Sequence, residues 1–382
     1  NNVLFVKQGA TGTGDGSSWA NAVPELADAL KWANINKANF TSNPLQIWVA
    51  TGTYKPKYSP QDGANFGTNQ NRDNSFLMVK NVQLYGGFFG TETLLTERNF
   101  NTNLTTLSGD IGIENDISDN TYHVVVSVDD VGSAKIDGFT ITKGNANGAN
   151  SITINSRVFN RDSGGGINNC SSSPTITNTI IYNNSANNGG GIYNLQSFQT
   201  LTNIIISGNS ANNSGGGIYN NSSSPIITNT TISNNSAYFD GGGICNFNSS
   251  PTLTNTTISN NSANIEGGGI FNDFFSSPTI NNCIIWGNTR NSDQSVNNIY
   301  NNSSTPPVYK YSLIQGSIVN SNWVSSFGTD GGNNIDVNPM FANPTNGDFT
   351  LTDASPAIDA GSNSLYGASL ATDTDLAGNP RL

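Results

Sequence analysis

The chain has 382 residues, with 26 acidic and 15 basic side chains, a net charge of −11 and a pI near 4.3. This negative balance argues against nucleic acid and anionic membrane surfaces as partners. The sequence contains no run of about 18 apolar residues, so no membrane-spanning helix is predicted. The chain opens at Asn1 without a methionine or an apolar leader, so we expect a mature, secreted or cell-surface protein whose signal has been removed.

Residues 1–60 are predicted to form an N-terminal cap that contains an amphipathic helix and the first strands. The helix is predicted over residues 21–33, with Asn21 or a nearby polar residue as its N-cap. Its apolar face holds Leu26, Ala29, Leu30 and Ala33. A helix laid over the first coil of a stack of strands prevents end-to-end strand addition, which explains its position.

The next hundred residues predict irregular strands with loop insertions, and one loop is acidic. Calcium takes six to eight oxygen ligands, so we interpret this loop as a candidate structural calcium site, against the alternative of a plain acidic loop. The candidate ligands are Asp110, Glu114, Asp116 and Asp119. Their spacing does not match an EF-hand. A second, weaker grouping near the C-terminus contains Asp359, Asp373 and Asp375.

A group of charged residues flanks the insertion at residues 145–159. If this insertion folds over a sheet face, Lys143 and Arg161 would line a groove for an acidic sugar, with Asp162 beside them. Lyase chemistry needs a basic residue as the proton acceptor, so these three are the candidate catalytic residues. The alternative is that they form ordinary surface ion pairs.

The middle of the chain is a repeat of about 26 residues. The motif Gly-Gly-Gly-Ile begins at Gly164, Gly189, Gly215, Gly241 and Gly267. Each copy carries three apolar positions separated by Ser, Thr, Asn or Tyr at period two, which is typical of strands. No single copy can bury these positions, so successive copies must stack with their strands paired in parallel, about 4.8 Å apart. The sequence therefore predicts an all-β, three-sided parallel β-helix.

The β-helix coils are predicted over residues 61–303, with regular repeats at about 164–290, and residues 304–382 are predicted to form C-terminal coils and a cap. Three positions of the repeat are nearly pure asparagine, and we interpret them as corner ladders, since Asn tolerates left-handed bends and its amides stack. The columns are Asn178, Asn203, Asn229, Asn255 and Asn282; Asn184, Asn209, Asn235, Asn261 and Asn288; and Asn169, Asn194, Asn220, Asn246 and Asn272. The cysteines Cys170, Cys245 and Cys283 occupy different positions, so we expect no disulfide.

One outward column carries aromatic rings at several copies. Tyr193, Tyr219 and Phe271 are the candidate ligand-binding residues, because a row of rings is a platform on which sugars stack. The alternative is that stacked neighbours simply cover the sheet. Asp240 and Glu266 precede the triplet in neighbouring copies, so they are predicted to stack at a bend, either as an acid–base pair or as solubilising acids.

Motifs at both ends carry a resemblance to a known family. They lie at residues 5–7, 14–22, 47–56, 85–92 and 107–111, and at residues 338–341, 347–351, 355–361 and 375–381. The chain resembles secreted right-handed parallel β-helix proteins of the choice-of-anchor Q type, common in Bacteroidetes. This resemblance implies a right-handed coil and a surface or adhesin-like role.

These observations lead to two competing functions. The first is an extracellular, non-catalytic protein that is structural, adhesive or filament-forming, with itself or surface glycans as partner. The alternative is a carbohydrate-active β-helix, a polysaccharide lyase or a glycan-binding protein that acts on an acidic glycan. No cofactor is predicted apart from structural calcium. No nucleic-acid partner and no membrane insertion are expected.

Overall fold

The computed structural model describes residues 2–62 and 66–366 and divides the chain into two compact units. Unit 1 comprises residues 1–186 and 191–193, and unit 2 comprises residues 187–190 and 194–382. Parallel strands of successive coils build both units, which confirms the predicted parallel β-helix. The acidic grouping at Asp373 and Asp375, and the motif at 375–381, lie outside the described residues.

Each regular coil contributes strands to three parallel sheets, as one coil of unit 2 illustrates. The triplet sheet follows the glycine triplet with Ile218–Asn221. The threonine sheet takes the two short strands Ile226–Thr228 and Thr231–Ser233. The alanine sheet takes Ser236–Ala237, after which the next triplet begins. The three-sided coil predicted from the repeat is therefore present.

Unit 1 contains the irregular coils, which lie on either side of long loops. Its triplet sheet pairs Phe76–Leu77, Val125–Val128 and Ile167–Cys170. Its alanine sheet pairs Asn145–Ala146 with Ser185–Ala186. Its threonine sheet contains Val3–Val6, Leu45–Ala50, Gly52–Tyr54, Val82–Phe88, Thr105–Ser108, Lys135–Asp137, Thr140–Thr142 and Thr175–Tyr182. The insertion forms an antiparallel hairpin of Ser151–Ile154 and Arg157–Asn160. Short 3-10 helices span Lys37–Phe40, Asn71–Asp73 and Leu95–Glu97.

The predicted N-terminal helix is present and spans Leu26–Ile35. Its predicted apolar face is buried, and the helix packs against the strands Val3–Val6 and Phe76–Leu77. The helix does not begin after Asn21, and the N-cap position belongs to the other predicted alternative, a nearby polar residue. Glu25 holds the N-cap position without a side-chain bond, while Asn21 Oδ1 accepts a bond from the Thr13 N–H at 3.2 Å. Asn21 thus braces the preceding turn instead of the helix. No helix in the described part of the chain is long and apolar enough to cross a membrane.

Unit 2 contains most of the regular repeats. Its triplet sheet pairs Ile218–Asn221, Ile244–Phe247, Ile270–Phe274 and Ile299–Ser303. Its alanine sheet pairs Ser210–Ala211, Ser236–Ala237, Ser262–Ala263 and Thr289–Arg290, with Ser295–Val296 antiparallel to the last. Its threonine sheet contains Thr200–Ser207, Ile226–Thr228, Thr231–Ser233, Thr252–Thr254, Thr257–Ser259, Thr279–Asn281, Ile284–Trp286, Val308–Lys310, Leu313–Ile314 and Thr329–Asp330. One strand, Ile192–Leu195, contains the boundary between the two units.

The predicted apolar columns form the core of the coils. In unit 2 the side chains of Ile218, Ile227 and Ile232 are fully buried, as are their equivalents in the next two copies. A fourth inward column was not predicted, because alanine carries too little apolar surface to stand out in the sequence. It holds Ala211, Ala237 and Ala263 in the alanine sheet, all buried.

The glycine triplet makes a bend and then a close packing contact. The first glycine adopts a left-handed conformation, with φ of +65° at Gly241. A Cβ on Gly242 would lie 2.3 Å from the carbonyl oxygen of Ser262, so no larger residue fits there. Both observations agree with a structural role for the triplets.

The three asparagine columns do different jobs. Asn229, Asn255 and Asn282 adopt the left-handed conformation at the bend inside the threonine sheet, as expected. Asn209, Asn235, Asn261 and Asn288 form a buried ladder in which each Nδ2 donates to the next Oδ1 at 2.9–3.0 Å. This ladder follows the threonine sheet, at a second bend.

The third column was predicted as a corner ladder, and its position is corrected by the structure. A ladder is formed by Asn194, Asn220, Asn246, Asn272 and Asn301, in which each Nδ2 donates to the next Oδ1 at 2.7–2.8 Å. These residues lie inside strands of the triplet sheet and point inward, with Asn220 and Asn246 fully buried. The ladder is possible because each amide offers both a donor and an acceptor to its neighbours.

Residues 304–366 continue from the last coil and then fold back along the threonine sheet. Paired strands Ile318–Val319 and Asn322–Trp323, and Phe341–Asn343 and Asp348–Leu351, are antiparallel, with 3-10 helices at Ser325–Phe327 and Pro344–Asn346 and a short helix at Asn363–Tyr366. Asn282 exchanges two hydrogen bonds with the Ser362 backbone, at 2.8 and 2.9 Å. Asn229 Nδ2 donates to the Tyr366 hydroxyl at 2.7 Å. The segment therefore covers part of one side of unit 2.

Candidate functional site

Two of the predicted catalytic residues are engaged in ion pairs of unit 1. Lys143 Nζ lies 2.6 Å from Asp110 Oδ2 and 2.8 Å from Asn115 Oδ1. Arg161 forms a bidentate ion pair with Asp73, in which Nε and Nη2 donate to the two carboxylate oxygens at 2.7 and 2.9 Å. The structure therefore gives each of the two bases a carboxylate partner.

The third predicted catalytic residue, Asp162, accepts a hydrogen bond from the neighbouring Ser163 hydroxyl at 2.8 Å. Nearby, His123 is buried, and its Nδ1 bonds the Gly164 carbonyl oxygen at 3.0 Å. Burial lowers the pKa of His123 to about 4, although the Gly164 carbonyl raises it. A neutral imidazole fixed in this way is a structural group of the coil.

The acidic loop of unit 1 disperses its carboxylates. Asp110 is buried against Lys143. Asp116 accepts bonds from Ser118, and the Ile113 N–H donates to Asp119. Glu114 is exposed. Within residues 2–62 and 66–366, no three or more acidic, histidine or cysteine side chains converge as metal ligands. The loop is held by backbone bonds, and structural calcium stays a prediction.

Burial would raise the pKa of Asp110, but the hydrogen bond from Lys143 and that from the Asn115 N–H together hold it below the usual value. One oxygen of this carboxylate, Oδ1, has no hydrogen-bond partner and lies 4.0 Å from Lys55 Nζ. Asp110 therefore serves mainly as the counter-charge for two lysines.

The outward column of the triplet sheet in unit 2 brings aromatic side chains into register. Tyr219, Cys245, Phe271 and Tyr300 are consecutive partners in the parallel pairing of the strands. The Phe271 and Tyr300 rings are parallel within 2°, with their centroids 5.7 Å apart. Tyr219 and Phe271 are half-buried, and Tyr300 is 39% exposed. Two of the predicted ligand-binding residues thus share one face with Tyr300, while Tyr193 belongs to unit 1.

Sequence analysis missed Tyr300 because its copy of the repeat lacks the glycine triplet. It also missed a second pair of rings on the same strands. Phe247 lies two residues after Cys245, and its ring centroid is 4.5 Å from that of Phe274, which is 54% exposed. The period-two spacing from Cys245 to Phe247 was the available signal. We call the outer surface formed by Tyr219, Phe247, Phe271, Phe274 and Tyr300 the aromatic face.

Carboxylates border the aromatic face. Asp240 and Glu266 pair as neighbours in adjacent coils, as predicted, and Asp240 Oδ1 accepts a bond from the Glu266 N–H at 3.1 Å. Glu266 also binds Arg290 at 3.0 Å and Asn297 at 2.7 Å. Asp273 lies two residues after Phe271 and accepts a bond from Asn302 at 2.9 Å.

The surroundings of Asp240 are unfavourable to its negative charge. Burial raises the pKa of Asp240, the Glu266 N–H lowers it, and the carboxylates of Glu266 and Asp273 raise it again. Burial also raises the pKa of the Cys245 thiol well above its ordinary value, and Asp240 and Asp273 add to this effect. Cys245 is therefore an unreactive thiol beneath the aromatic face. Cys170, Cys245 and Cys283 are all free, as expected.

No protein-family model and no curated protein matches the chain. Among solved structures, the chain is similar to the pectate lyase Pel9A, with a TM-score of 0.56 and 13% identity, over 95% of this chain and 92% of that chain. It is also similar to the pectin methylesterase from Aspergillus niger, with a TM-score of 0.39 and 14% identity, over 96% and 95% of the two chains. A third similar structure is PfbA, a surface adhesin of Streptococcus pneumoniae, with a TM-score of 0.30 and 12% identity, over 82% of this chain and 86% of that chain. At 13% identity, the likeness to Pel9A establishes the class, a parallel β-helix, and no activity.

Proposed function

We propose that this protein is an extracellular, non-catalytic, adhesive β-helix that binds glycans on the aromatic face of unit 2. The observation that carries this proposal is the parallel pair formed by Phe271 and Tyr300 on the outside of the triplet sheet. Rings fixed on a rigid sheet offer the flat apolar area on which the C–H faces of sugars pack, at little cost in side-chain entropy.

Exposure of the rings supports a binding role over a packing role. Tyr300 and Phe274 keep 39% and 54% of their surface exposed, although aromatic side chains usually gain stability by burial. A contiguous exposed apolar surface with a polar border is typical of binding sites. The rings repeat along the coils because the strands repeat, so the aromatic face suits a linear polymer.

The competing function is cleavage of an acidic glycan, which the likeness in fold to a pectate lyase raises. It would require Lys143 or Arg161 to act on substrate, and both are held by carboxylates, at 2.6 and 2.7 Å. These contacts favour structural ion pairs over catalytic bases. Self-association into filaments stays a prediction.

Affinity electrophoresis through gels that contain neutral, acidic or amino polysaccharides tests the proposal. We expect at least one polysaccharide to retard the wild-type protein, and the double variant Phe271→Ala/Tyr300→Ala to migrate as in an empty gel. Phe89→Ala is the matched control, because Phe89 is an exposed ring of unit 1 that is far from the aromatic face in sequence.

The same samples are assayed for unsaturated products and new reducing ends, with and without calcium. We expect none. Release of products that is abolished by Lys143→Ala would replace the proposal with a lyase, and migration unaffected by every polysaccharide would refute glycan binding.

A further inference from the structure

The aromatic face has a carboxylate border on one side that follows the coils. A Cβ on Gly241 would lie 2.7 Å from the Cβ of Cys245, and one on Gly267 would lie 2.8 Å from that of Phe271. Because Asp240 and Glu266 immediately precede these two glycines, they run alongside the column that contains the stacked rings. Their backbones pair, so the two carboxylates keep the spacing of neighbouring strands.

A further carboxylate stands on the face itself. Asp273 follows Phe271 by two residues in the same strand, so both side chains point outward. Its Oδ1 accepts bonds from the Asn302 side chain and the Phe274 N–H, at 2.9 and 2.8 Å. Asp273 pairs with Phe247, two residues after Cys245, and Asp240 precedes Gly241, which packs against Cys245, so both carboxylates lie near the centre of the column.

These charges are only partly neutralised. Arg290 pairs with Glu266 at 3.0 Å and with Asp293 at 2.8 Å. Among the residues that the structure describes, neither Asp240 nor Asp273 has a cation within ion-pair distance. The aromatic face therefore presents rings together with uncompensated carboxylates.

We propose that the glycan bound on this face carries protonated primary amines, as a polymer of amino sugars does. This inference rests on the proposed function and specifies its ligand. Ammonium groups gain from both features, through charge-assisted hydrogen bonds to carboxylates and attraction to the faces of aromatic rings. A uronic acid polymer would instead bring like charges to Asp240 and Asp273, which costs affinity and slows association.

Titration calorimetry with three short oligosaccharides tests the inference, at about pH 6, where primary amines are protonated. The probes are oligomers of glucosamine, of N-acetylglucosamine and of galacturonic acid, matched in length. We expect the glucosamine oligomer to bind at least about tenfold more tightly than its acetylated form, and the galacturonate oligomer to bind most weakly. Asp240→Asn/Asp273→Asn should abolish this preference, whereas Phe271→Ala should weaken binding of both hexosamine oligomers.

The net charge of −11 attracts any polycation, so the control removes the same charge elsewhere. Asp130→Asn/Asp353→Asn alters two exposed acids, one in unit 1 and one in the C-terminal segment of unit 2, and should keep the full preference. Equal affinity for the two hexosamine oligomers, tighter binding of galacturonate, or equal losses in both double variants would overturn the inference while leaving glycan binding intact. Failure of all three probes to bind would overturn the inference, whereas the proposed function is refuted only if no polysaccharide retards the protein in the gels.

Discussion

Asp137 shows how a single side chain joins the irregular coils of unit 1. This carboxylate is buried, and it accepts bonds from Arg98 at 2.6 Å, Lys135 at 2.7 Å and Asn178 at 2.8 Å. Burial alone would raise the pKa of Asp137, but its three partners hold the pKa below the usual value. Arg98 also bonds the Gly86 carbonyl, so the group connects several coils.

Replacing Asp137 by Asn should lower the free energy of unfolding by roughly 3 kcal/mol, because it leaves Arg98 buried without a counter-charge. Urea unfolding followed by circular dichroism measures the change. Asp130→Asn is the control, since its pair with Lys80 is exposed and should contribute less than about 1 kcal/mol. Equal losses in the free energy of unfolding for the two variants would show that the Asp137 hydrogen-bond network does not stabilise the coils it connects.

His123 gives unit 1 a defined response to acid. Folding favours the neutral imidazole, so the contribution of this residue is complete above pH 6.5 and is lost as the pH falls towards about 4. Between pH 7 and pH 5, the stability advantage of the wild type over His123→Gln should shrink by about 2 kcal/mol. Carboxylates titrate in both proteins and cancel in the comparison. An advantage that stays constant over this range would contradict the buried, neutral assignment.

Each coil depends on ladders of polar side chains as much as on apolar columns. Asn220, Asn246 and Asn272 lie inside the triplet sheet, where each amide bridges two coils. A serine ladder, which the sequence analysis did not recognise, runs beside it. Ser223 Oγ accepts the Ser197 N–H at 2.9 Å, and Ser249 Oγ accepts that of Ser223 at the same distance. Buried polar groups are tolerated here because each one finds its partner in the next copy.

Asn246→Ala should destabilise the protein by roughly 2–4 kcal/mol, because it leaves a buried donor on Asn220 and a buried acceptor on Asn272 without partners. The midpoint of urea unfolding reports the loss. Asn221→Ala, on the outward side of a neighbouring strand, should change stability by less than about 0.5 kcal/mol. A similar small effect at position 246 would mean that the amide ladder does not contribute to stability.

Over the full chain, the regular repeat determines which features can be predicted from the sequence. The columns of Ile218, Ile227 and Ile232 recur in every copy, so the sequence predicts strands, stacking and sheet faces without knowledge of any contact. The outward-facing, half-buried rings of Tyr219 and Phe271 follow from the same alignment. Asn220 was assigned to a corner because composition alone does not tell a bend from an inward strand position.

Features that occur once were not predictable in the same way. Asn282 and Ser362 form a hydrogen bond although they are 80 residues apart in sequence, and the repeat pattern does not predict this contact. Tyr300 sits in a degenerate copy, so its stacking on Phe271 emerged only from the strand register. The ion pair between Lys143 and Asp110 likewise depends on how two loops meet. It gives each residue a charged partner that its own sequence context does not indicate.

The most direct test of the account is a crystal structure of the full chain with a bound glucosamine oligosaccharide. We expect sugar rings packed against Phe271 and Tyr300, with amines directed towards Asp240 and Asp273. An oligosaccharide seated instead beside Lys143 and Arg161, or one that leaves the aromatic face bare, would contradict it.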